Sequence, residues 1–296
     1  MPVRDLLLAL LVVVVWGVNF VAIRWGVDEV QPLLLTALRF ICAALPAVFF
    51  IRKPQAGWGI IIAYGSVVGT LQFGFLFTAI KLGMPAGLAS LVMQMQAFFT
   101  FGLAVWLLGE RPGLFQVMGG LVAIAGIGVI GLERLEGAAL LPLILTLIAA
   151  FCWGASNIIT KKAGRIDMLG FVVWSSLVVP VPMLLLSLIA EGPGAIPEAL
   201  SRLTWRGGGS ILFTAYLSTL LGYGIWARLL GRYPANTVAP FTLLVPIAGI
   251  GSAALLLGET ISTVEIAGSL LVLAGLVFNV FGPRLWKRTR VEVAQP

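Results

Sequence analysis

The chain contains two copies of one segment at an offset of 149 residues. The copies share a proline, a Gly-Glu pair and two later glycines: Pro85, Gly109, Glu110, Gly119 and Gly126 in the first, and Pro234, Gly258, Glu259, Gly268 and Gly275 in the second. A Trp-Gly pair at Trp16 and at Trp153 is likewise followed eight residues later by a basic residue. Because internal repetition decides architecture before local detail does, we predict two related units, residues 1–136 and 137–296.

The composition indicates a membrane protein. Of 296 residues, 60% are hydrophobic and 10% charged, whereas soluble domains have about 45–50% apolar and about 25% charged residues. Apolar runs of about 17 to 25 residues are long enough to cross a bilayer as helices. We therefore predict an all-α integral membrane protein with ten transmembrane helices, at residues 5–25, 32–51, 59–80, 85–108, 114–132, 138–160, 168–189, 208–230, 235–257 and 264–283.

The basic residues lie mostly in alternate connections. Lys and Arg are enriched in cytoplasmic loops, and placing the N terminus inside gives the cytoplasm Arg4, Arg52, Lys53, Arg111, Lys161, Lys162, Arg165, Arg228, Arg232, Arg284, Lys287, Arg288 and Arg290. The other side then receives Arg24, Lys81, Arg134, Arg202 and Arg206. Both termini are predicted to be cytoplasmic.

An odd number of spans in each unit gives the two units opposite orientations in the membrane. Glu110 is then expected at the cytoplasmic end of span four, and its counterpart Glu259 at the outer end of span nine. Inverted repeats are common in secondary transporters, in which the substrate site lies near the midplane and access alternates as the halves rock. The pattern predicts such a transporter.

The motifs of both halves resemble the EamA family of the drug/metabolite transporter superfamily. They are Trp16-Gly17 with Asn19-Phe20 and Arg24, Arg39-Phe40, residues 83–92, Gln94, residues 96–99, residues 109–111, residues 222–226, residues 230–233, residues 238–240 and residues 243–246. The resemblance covers essentially the whole chain and is nearest to bacterial exporters of amino acids and their metabolites, including cysteine/O-acetylserine and aromatic amino-acid exporters. It implies ten helices, the bacterial inner membrane and efflux of small zwitterions. The second half departs from the pattern at Ser156-Asn157, where the Asn comes one residue later.

Polar and aromatic side chains within the spans are the candidates for a substrate cavity, because such groups are costly in a bilayer unless they face protein or water. The candidates are Trp16, Asn19, Phe20, Gln72, Phe73, Met93, Gln94, Phe98, Trp153, Asn157, Tyr216, Tyr223, Trp226 and Pro246. For Trp16 and Trp153 an interfacial or packing role is the alternative, and for the aromatic stripe of span eight it is core packing. Gln94 and Gln96 are expected on different faces, about 200° apart, with Gln96 bonding a neighbouring helix.

Five charged residues are expected to act in gating or structure: Arg24, Arg39, Glu110, Lys161 and Glu259. Arg39 is expected to snorkel or to cap backbone carbonyls, and direct contact with the substrate is the alternative. Interruptions by Pro240, Pro246 and Gly102 make spans four and nine the candidates for a moving or substrate-lining core. Small residues in spans five and ten predict close helix packing, within one subunit or in a homodimer.

The side-chain inventory argues against an enzyme. The chain has no His and no carboxylate well inside a predicted span, so acid/base and metal chemistry lack their usual groups. We predict no cofactor, no metal and no nucleic-acid partner. A cavity of amides, hydroxyls and aromatic rings suits a neutral or zwitterionic amino acid with an apolar side chain. Helix dipoles would receive its charged ends.

Two alternatives remain open: efflux of drugs or other metabolites, and a structural or signalling membrane protein. The positions at which the copies differ are where substrate recognition is expected, namely Asn19 against Ser156, Gln94 against Leu243 and Ala97 against Pro246.

Overall fold

The computed structural model describes residues 1–111, 113–137, 140–164 and 166–293, and the regular secondary structure among these residues is helix, with no strand. The prediction that the termini are cytoplasmic counted some basic side chains that the model does not describe. These are Arg134, Arg165 and the basic residues after residue 282. The helices are α1 (Val3–Glu29), α2 (Pro32–Val48), α3 (Trp58–Lys81), α4 (Ala86–Leu108), α5 (Leu114–Gly137), α6 (Leu140–Ala163), α7 (Met168–Ala190), α8 (Trp205–Arg232), α9 (Ala239–Leu257) and α10 (Thr263–Val293).

Within the described residues, nine of these helices are long and apolar enough to cross a membrane. The tenth, α2, is apolar but has 17 residues. Its residues coincide with most of the predicted second span. A short helix, Ala195–Arg202, follows α7 in the longest predicted connection.

The same departures from α-helical winding occur in both halves. In α3 the segment Gly65–Gln72 is π-helical, and in α8 so is Phe213–Leu221, whose last residue lies at the repeat offset of 149 from Gln72. In α4 the segment Met93–Met95 is a 3₁₀-helix, and α9 begins with another, Ala239–Leu244. Both kinds of winding are frequent at functional sites. Their recurrence extends the sequence repeat into local geometry.

The helices end at two faces of the protein, the N-terminal face, at which α1 begins, and the opposite face, at which α1 ends. At the N-terminal face, the Tyr233 hydroxyl donates to Asp5 at 2.6 Å, and Ala9 packs with Leu229 and Val238. At the opposite face, the end of α1 meets the start of α8, where the backbone N–H of Thr204 donates to Glu29 at 2.8 Å. These two faces define the ends of the cavity described below.

Helices α5 and α10 pack against each other through glycines. A Cβ built on Gly126 would lie 2.6 Å from the carbonyl oxygen of Gly268, and one on Gly119 would lie 2.5 Å from that of Gly275. Small residues allow such close backbone approach in membranes. Because these faces are in contact within one chain, a homodimer through α5 and α10 would have to use their other faces.

We expect Gly126→Ala to destabilise the protein and Gly128→Ala to leave it unaffected. The added methyl group at 126 forces two backbones apart, at about 1–3 kcal/mol as in other overpacked cores. Gly128 is on the same helix and has nothing within 4 Å of a built Cβ, so it controls for helix propensity. The thermal unfolding midpoint in detergent measures both. Equal midpoints would contradict the glycine contact.

Candidate substrate cavity

A cavity of about 450 Å³ lies between the helices of both halves. This volume is within the range of small-molecule sites, roughly 300–1,000 Å³. At the N-terminal face its lining reaches Leu230 and Ala239, which are exposed. Toward the opposite face it ends among buried side chains, including Arg39 and Leu76. The cavity therefore opens on the N-terminal face.

Aromatic rings form one wall of the cavity. The indole of Trp16 lies 5.5 Å from the ring of Tyr223 and 5.2 Å from that of Trp226, between ring centroids. Its N–H donates to the carbonyl of Ser218 at 3.1 Å, inside the π-helical segment of α8. The bond fixes the ring that α1 presents to the cavity. Apolar side chains of a substrate would pack on such a surface.

Amide groups form the facing wall. Asn157 donates from Nδ2 to Gln96 Oε1 at 2.8 Å and to Thr100 Oγ1 at 2.9 Å, which joins α6 to α4. Gln94 donates to the carbonyl of Thr242 at 3.2 Å, which joins α4 to α9. These bonds orient three amides at the cavity without using all of their hydrogen-bonding capacity.

Gln94 and Gln96 both line the cavity, so the prediction that they face different directions was wrong. In an α-helix, residues two apart are separated by about 200°, which is about 160° measured the shorter way around the axis. In a 3₁₀-helix each residue advances by about 120°, so the shorter separation falls to about 120°. The segment Met93–Met95 is 3₁₀ and turns both amides inward. The predicted bond from Gln96 to a neighbouring helix is present, to Asn157.

Most of the predicted cavity residues lie together in this lining. They are Trp16, Asn19, Phe20, Gln72, Phe73, Met93, Gln94, Trp153, Asn157, Tyr223 and Trp226. The structure brings these residues together in one cavity, and their role in binding a substrate stays a prediction.

Phe98, Tyr216 and Pro246 lie outside the lining. A π-helix holds more residues per turn than an α-helix, so Tyr216 in the π-helical part of α8 no longer shares a face with Tyr223. Phe98 follows the 3₁₀ segment of α4 and points toward Gly120 of α5. Pro246 is buried in α9, and the cavity is lined instead by Thr242 and Val245 of that helix.

Several lining residues were not predicted. Tyr64, Ser90, Met168, Ser218, Ala227, Leu230 and Ala239 belong to this set. Thr160 and Thr219, which helical spacing puts on the predicted faces of Asn157 and Tyr223, also line the cavity. The others carry no polar or aromatic pattern that distinguishes them from packing residues in the sequence.

Arg39 is buried and reaches the cavity, so the expectations of snorkelling or carbonyl capping were wrong. Its side chain is 2% exposed, and Nη2 donates to Thr219 Oγ1 at 2.8 Å. Its guanidinium carbon lies 4.1 Å from the ring centroid of Phe73 and 4.8 Å from that of Phe40. Among the described residues lining the cavity, Arg39 alone carries a charge.

The model of the EamA-like transporter family matches residues 4–132 and 140–281. The chain belongs to the EamA-like transporter family. This membership makes it a multi-pass membrane transporter of small molecules and not an enzyme.

Relatives of this transporter extend over its full length. It is 46% identical over 295 residues to a probable amino-acid metabolite efflux pump of Salmonella typhimurium, covering 98% of this chain and 99% of the relative. A protein of the same name from Escherichia coli is 44% identical, over 97% of this chain and 98% of the relative. A probable terminal-alkyne amino-acid exporter of Streptantibioticus cattleyicolor is 27% identical over 90% of each chain. A solved crystal structure with 18% identity has the same fold, with a TM-score of 0.65 over 97% of this chain and 99% of that one.

Carboxylates close the transporter at its opposite face by capping helix N-termini. Glu259, after α9, accepts from the backbone N–H of Ala86 at 2.7 Å and of Gly87 at 2.9 Å, at the start of α4. Glu191 accepts in the same way from Leu33 and Leu34 at the start of α2, and Glu29 from Thr204 and Gly207 at the start of α8. The first N–H groups of a helix have no partner within it. Each carboxylate therefore ties one helix to another.

Two basic residues make further contacts at the opposite face, whereas the ion pairs of Arg232 with Asp5 and of Lys161 with Glu110 lie at the N-terminal face. Arg24 donates to the carbonyl of Ile80 at 3.1 Å and pairs with Asp28 at 3.3 Å. Lys81 donates to the carbonyl of Val27. Lys161, by contrast, pairs with Glu110 at the ends of α6 and α4, and both side chains are about half exposed, 55% and 45%.

We expect a cysteine placed at Ala227 to react with a water-soluble maleimide, and one at Ala215 to remain unmodified. Ala227 lines the cavity, and Ala215 is fully buried on the same helix. Both are made in a Cys42→Ala, Cys152→Ala background, since these are the two cysteines of the chain. Mass spectrometry measures the modified fraction. Equal reactivity at both positions would contradict a cavity open at the N-terminal face.

Proposed function

We propose that this transporter exports small neutral, zwitterionic amino acids across the bacterial inner membrane, with aromatic and other apolar ones favoured. The cavity supports this proposal, because it combines an aromatic wall with amides, hydroxyls and a single cation. Its described lining contains no carboxylate to receive a basic side chain. The names of the relatives, an amino-acid metabolite efflux pump and an amino-acid exporter, agree with that chemistry.

The transport mechanism is alternating access by two inverted units. The repeated Gly-Glu pairs and the repeated π and 3₁₀ segments support two related units. A cavity that opens on one face and is tied shut at the other is what one state of such a mechanism requires. With the termini in the cytoplasm, as the charge distribution predicts, this state accepts cargo from the cytoplasm.

Purified protein in liposomes is expected to transport phenylalanine, methionine, threonine and cysteine at least tenfold faster than glutamate. A second acidic group has no further cation in the described lining. Absence of flux for every neutral amino acid would overturn the proposal, and flux of unrelated drugs alone would favour the efflux alternative.

Trp16→Ala is expected to reduce neutral amino-acid flux at least tenfold at unchanged membrane expression. Trp16 forms the aromatic wall, whereas Trp106 is 78% exposed on the outside of α4. Trp106→Ala is therefore the matched control for loss of a tryptophan. Equal flux from the two variants would place the substrate elsewhere.

The repeat also supports a contact that exchanges between the two proposed states. Glu259 caps the start of α4, and Glu110 is its counterpart in the first unit. By the same offset, Glu110 would cap the start of the short helix Ala235–Val238 that leads into α9. In the present state Glu110 instead pairs with Lys161. One carboxylate is docked while its counterpart is released, which is the asymmetry that alternating access needs.

Glu259→Gln is expected to open the opposite face and to reduce maleimide labelling at Ala227→Cys. A hydrogen bond to a charged group contributes roughly 1.5–3 kcal/mol, enough to shift a two-state population more than tenfold. Glu110→Gln should leave that labelling unchanged and slow transport, because its partner forms only in the other state. Glu198→Gln, on the short surface helix, is the control. If Glu259→Gln labels like Glu198→Gln, the exchange is wrong.

A further inference from the structure

Arg39 is a buried cation whose hydrogen-bonding groups are only partly used. Of its N–H groups, Nη2 donates to Thr219, while Nε and Nη1 have no partner. None of the ion pairs found among the described residues includes Arg39. An isolated charge away from water is unfavourable unless it is paired. The site is therefore short of one anion.

The rings around Arg39 leave its edge free for that anion. Phe73, Phe40 and Phe77 place their ring centroids 4.1, 4.8 and 5.7 Å from the guanidinium carbon. Aromatic faces stabilise a cation, but they accept none of its in-plane N–H bonds. A guanidinium edge matches the two oxygens of a carboxylate. The rings hold the cation in place and leave this edge for a ligand.

Arg39 lies in the wall between the main cavity and a smaller one of about 20 Å³. Phe73, Thr219, Tyr223 and Tyr64 line both cavities with it. The small cavity has room for about one water molecule, and Ser175, which also lines it, has an unpartnered hydroxyl. A water there is the competing explanation for the free N–H groups.

Two further unpartnered atoms belong to the main cavity, and they are hydrogen-bond acceptors, whereas the free groups of Arg39 are donors. Asn19 Oδ1 and Gln72 Oε1 are buried acceptors with no donor, and both residues line the cavity with Arg39. Neutral amide oxygens suit an ammonium group, which only donates. A zwitterion carries both groups that this lining leaves unsatisfied.

On the basis of the proposed function, we infer that Arg39 binds the α-carboxylate of the exported amino acid and that Asn19 and Gln72 receive its ammonium group. This replaces helix dipoles, which the sequence suggested for the charged ends, with side chains of α1, α2 and α3. The inference makes the carboxylate the obligatory feature of the cargo and leaves the side chain to the aromatic wall.

The test compares phenylalanine with phenylalaninamide, which keeps the ring and the ammonium and lacks the carboxylate. Competition with labelled phenylalanine for binding to the wild-type protein should favour phenylalanine over the amide at least tenfold. In Arg39→Met the two should bind within about twofold of each other, because phenylalanine loses its partner and the amide loses nothing. Arg39→Lys keeps the charge without the fork and should give an intermediate ratio.

The outcomes separate this inference from the proposed function. If the wild-type protein transports no neutral amino acid, the function itself is wrong. If it transports them but its preference for phenylalanine over the amide persists in Arg39→Met, the inference is overturned and Arg39 binds only a water. Should Arg39→Met not fold, Arg39→Lys decides: an unchanged ratio in that variant, with wild-type thermal stability, would also overturn it.

Discussion

The absence of water around the spans is the constraint on which the rest of this structure depends. A polar group inside a bilayer must find a partner in the protein or face a wet cavity. Asn157, Gln96 and Gln94 satisfy this by bonding between helices. Glu29, Glu191 and Glu259 satisfy it at helix N-termini. Among the described residues, Arg39 is the buried ionised group for which neither solution is complete, and it lies beside the cavity.

Hydropathy predicted the fold well because burial in lipid acts on whole helices. The third predicted span, 59–80, corresponds to Trp58–Lys81, and the eighth, 208–230, to Trp205–Arg232. The site was harder to predict, because it depends on which way individual side chains point. Faces drawn with 3.6 residues per turn fail where the winding changes, as at Tyr216 and Phe98. Such changes have no pattern in a single sequence.

Arg39 shows a different limit of sequence reasoning. An arginine two turns from a helix end is expected to extend toward water, and nothing local in the sequence says otherwise. Its burial is decided by three phenylalanines from α2 and α3 and by Thr219 of α8, which only the folded chain brings together. The residue that breaks the local rule is the one that carries a charge into the cavity.

The two copies supply a shared scaffold and an asymmetric lining. Asn19 lines the cavity, whereas Ser156, its counterpart by the Trp-Gly alignment, turns its hydroxyl to the carbonyl of Trp153 at 2.7 Å. Gln94 lines it as well, whereas Leu243 does not. At these two mismatches the first copy provides the amide. The third mismatch, Ala97 against Pro246, contributes neither residue to the lining.

The contacts of the two repeated carboxylates, Glu110 and Glu259, differ in strength in this state. Exposed ion pairs such as that of Lys161 with Glu110 contribute about 0–1 kcal/mol, whereas carboxylates that accept from backbone N–H groups contribute roughly 1.5–3 kcal/mol per bond. The opposite face has three such caps, on α2, α4 and α8. A ligand shifts an equilibrium only by the difference in its affinity for the two states. In the proposed mechanism these caps stabilise the state that is open at the N-terminal face, and with the termini in the cytoplasm, as proposed, an exporter collects its substrate in that state.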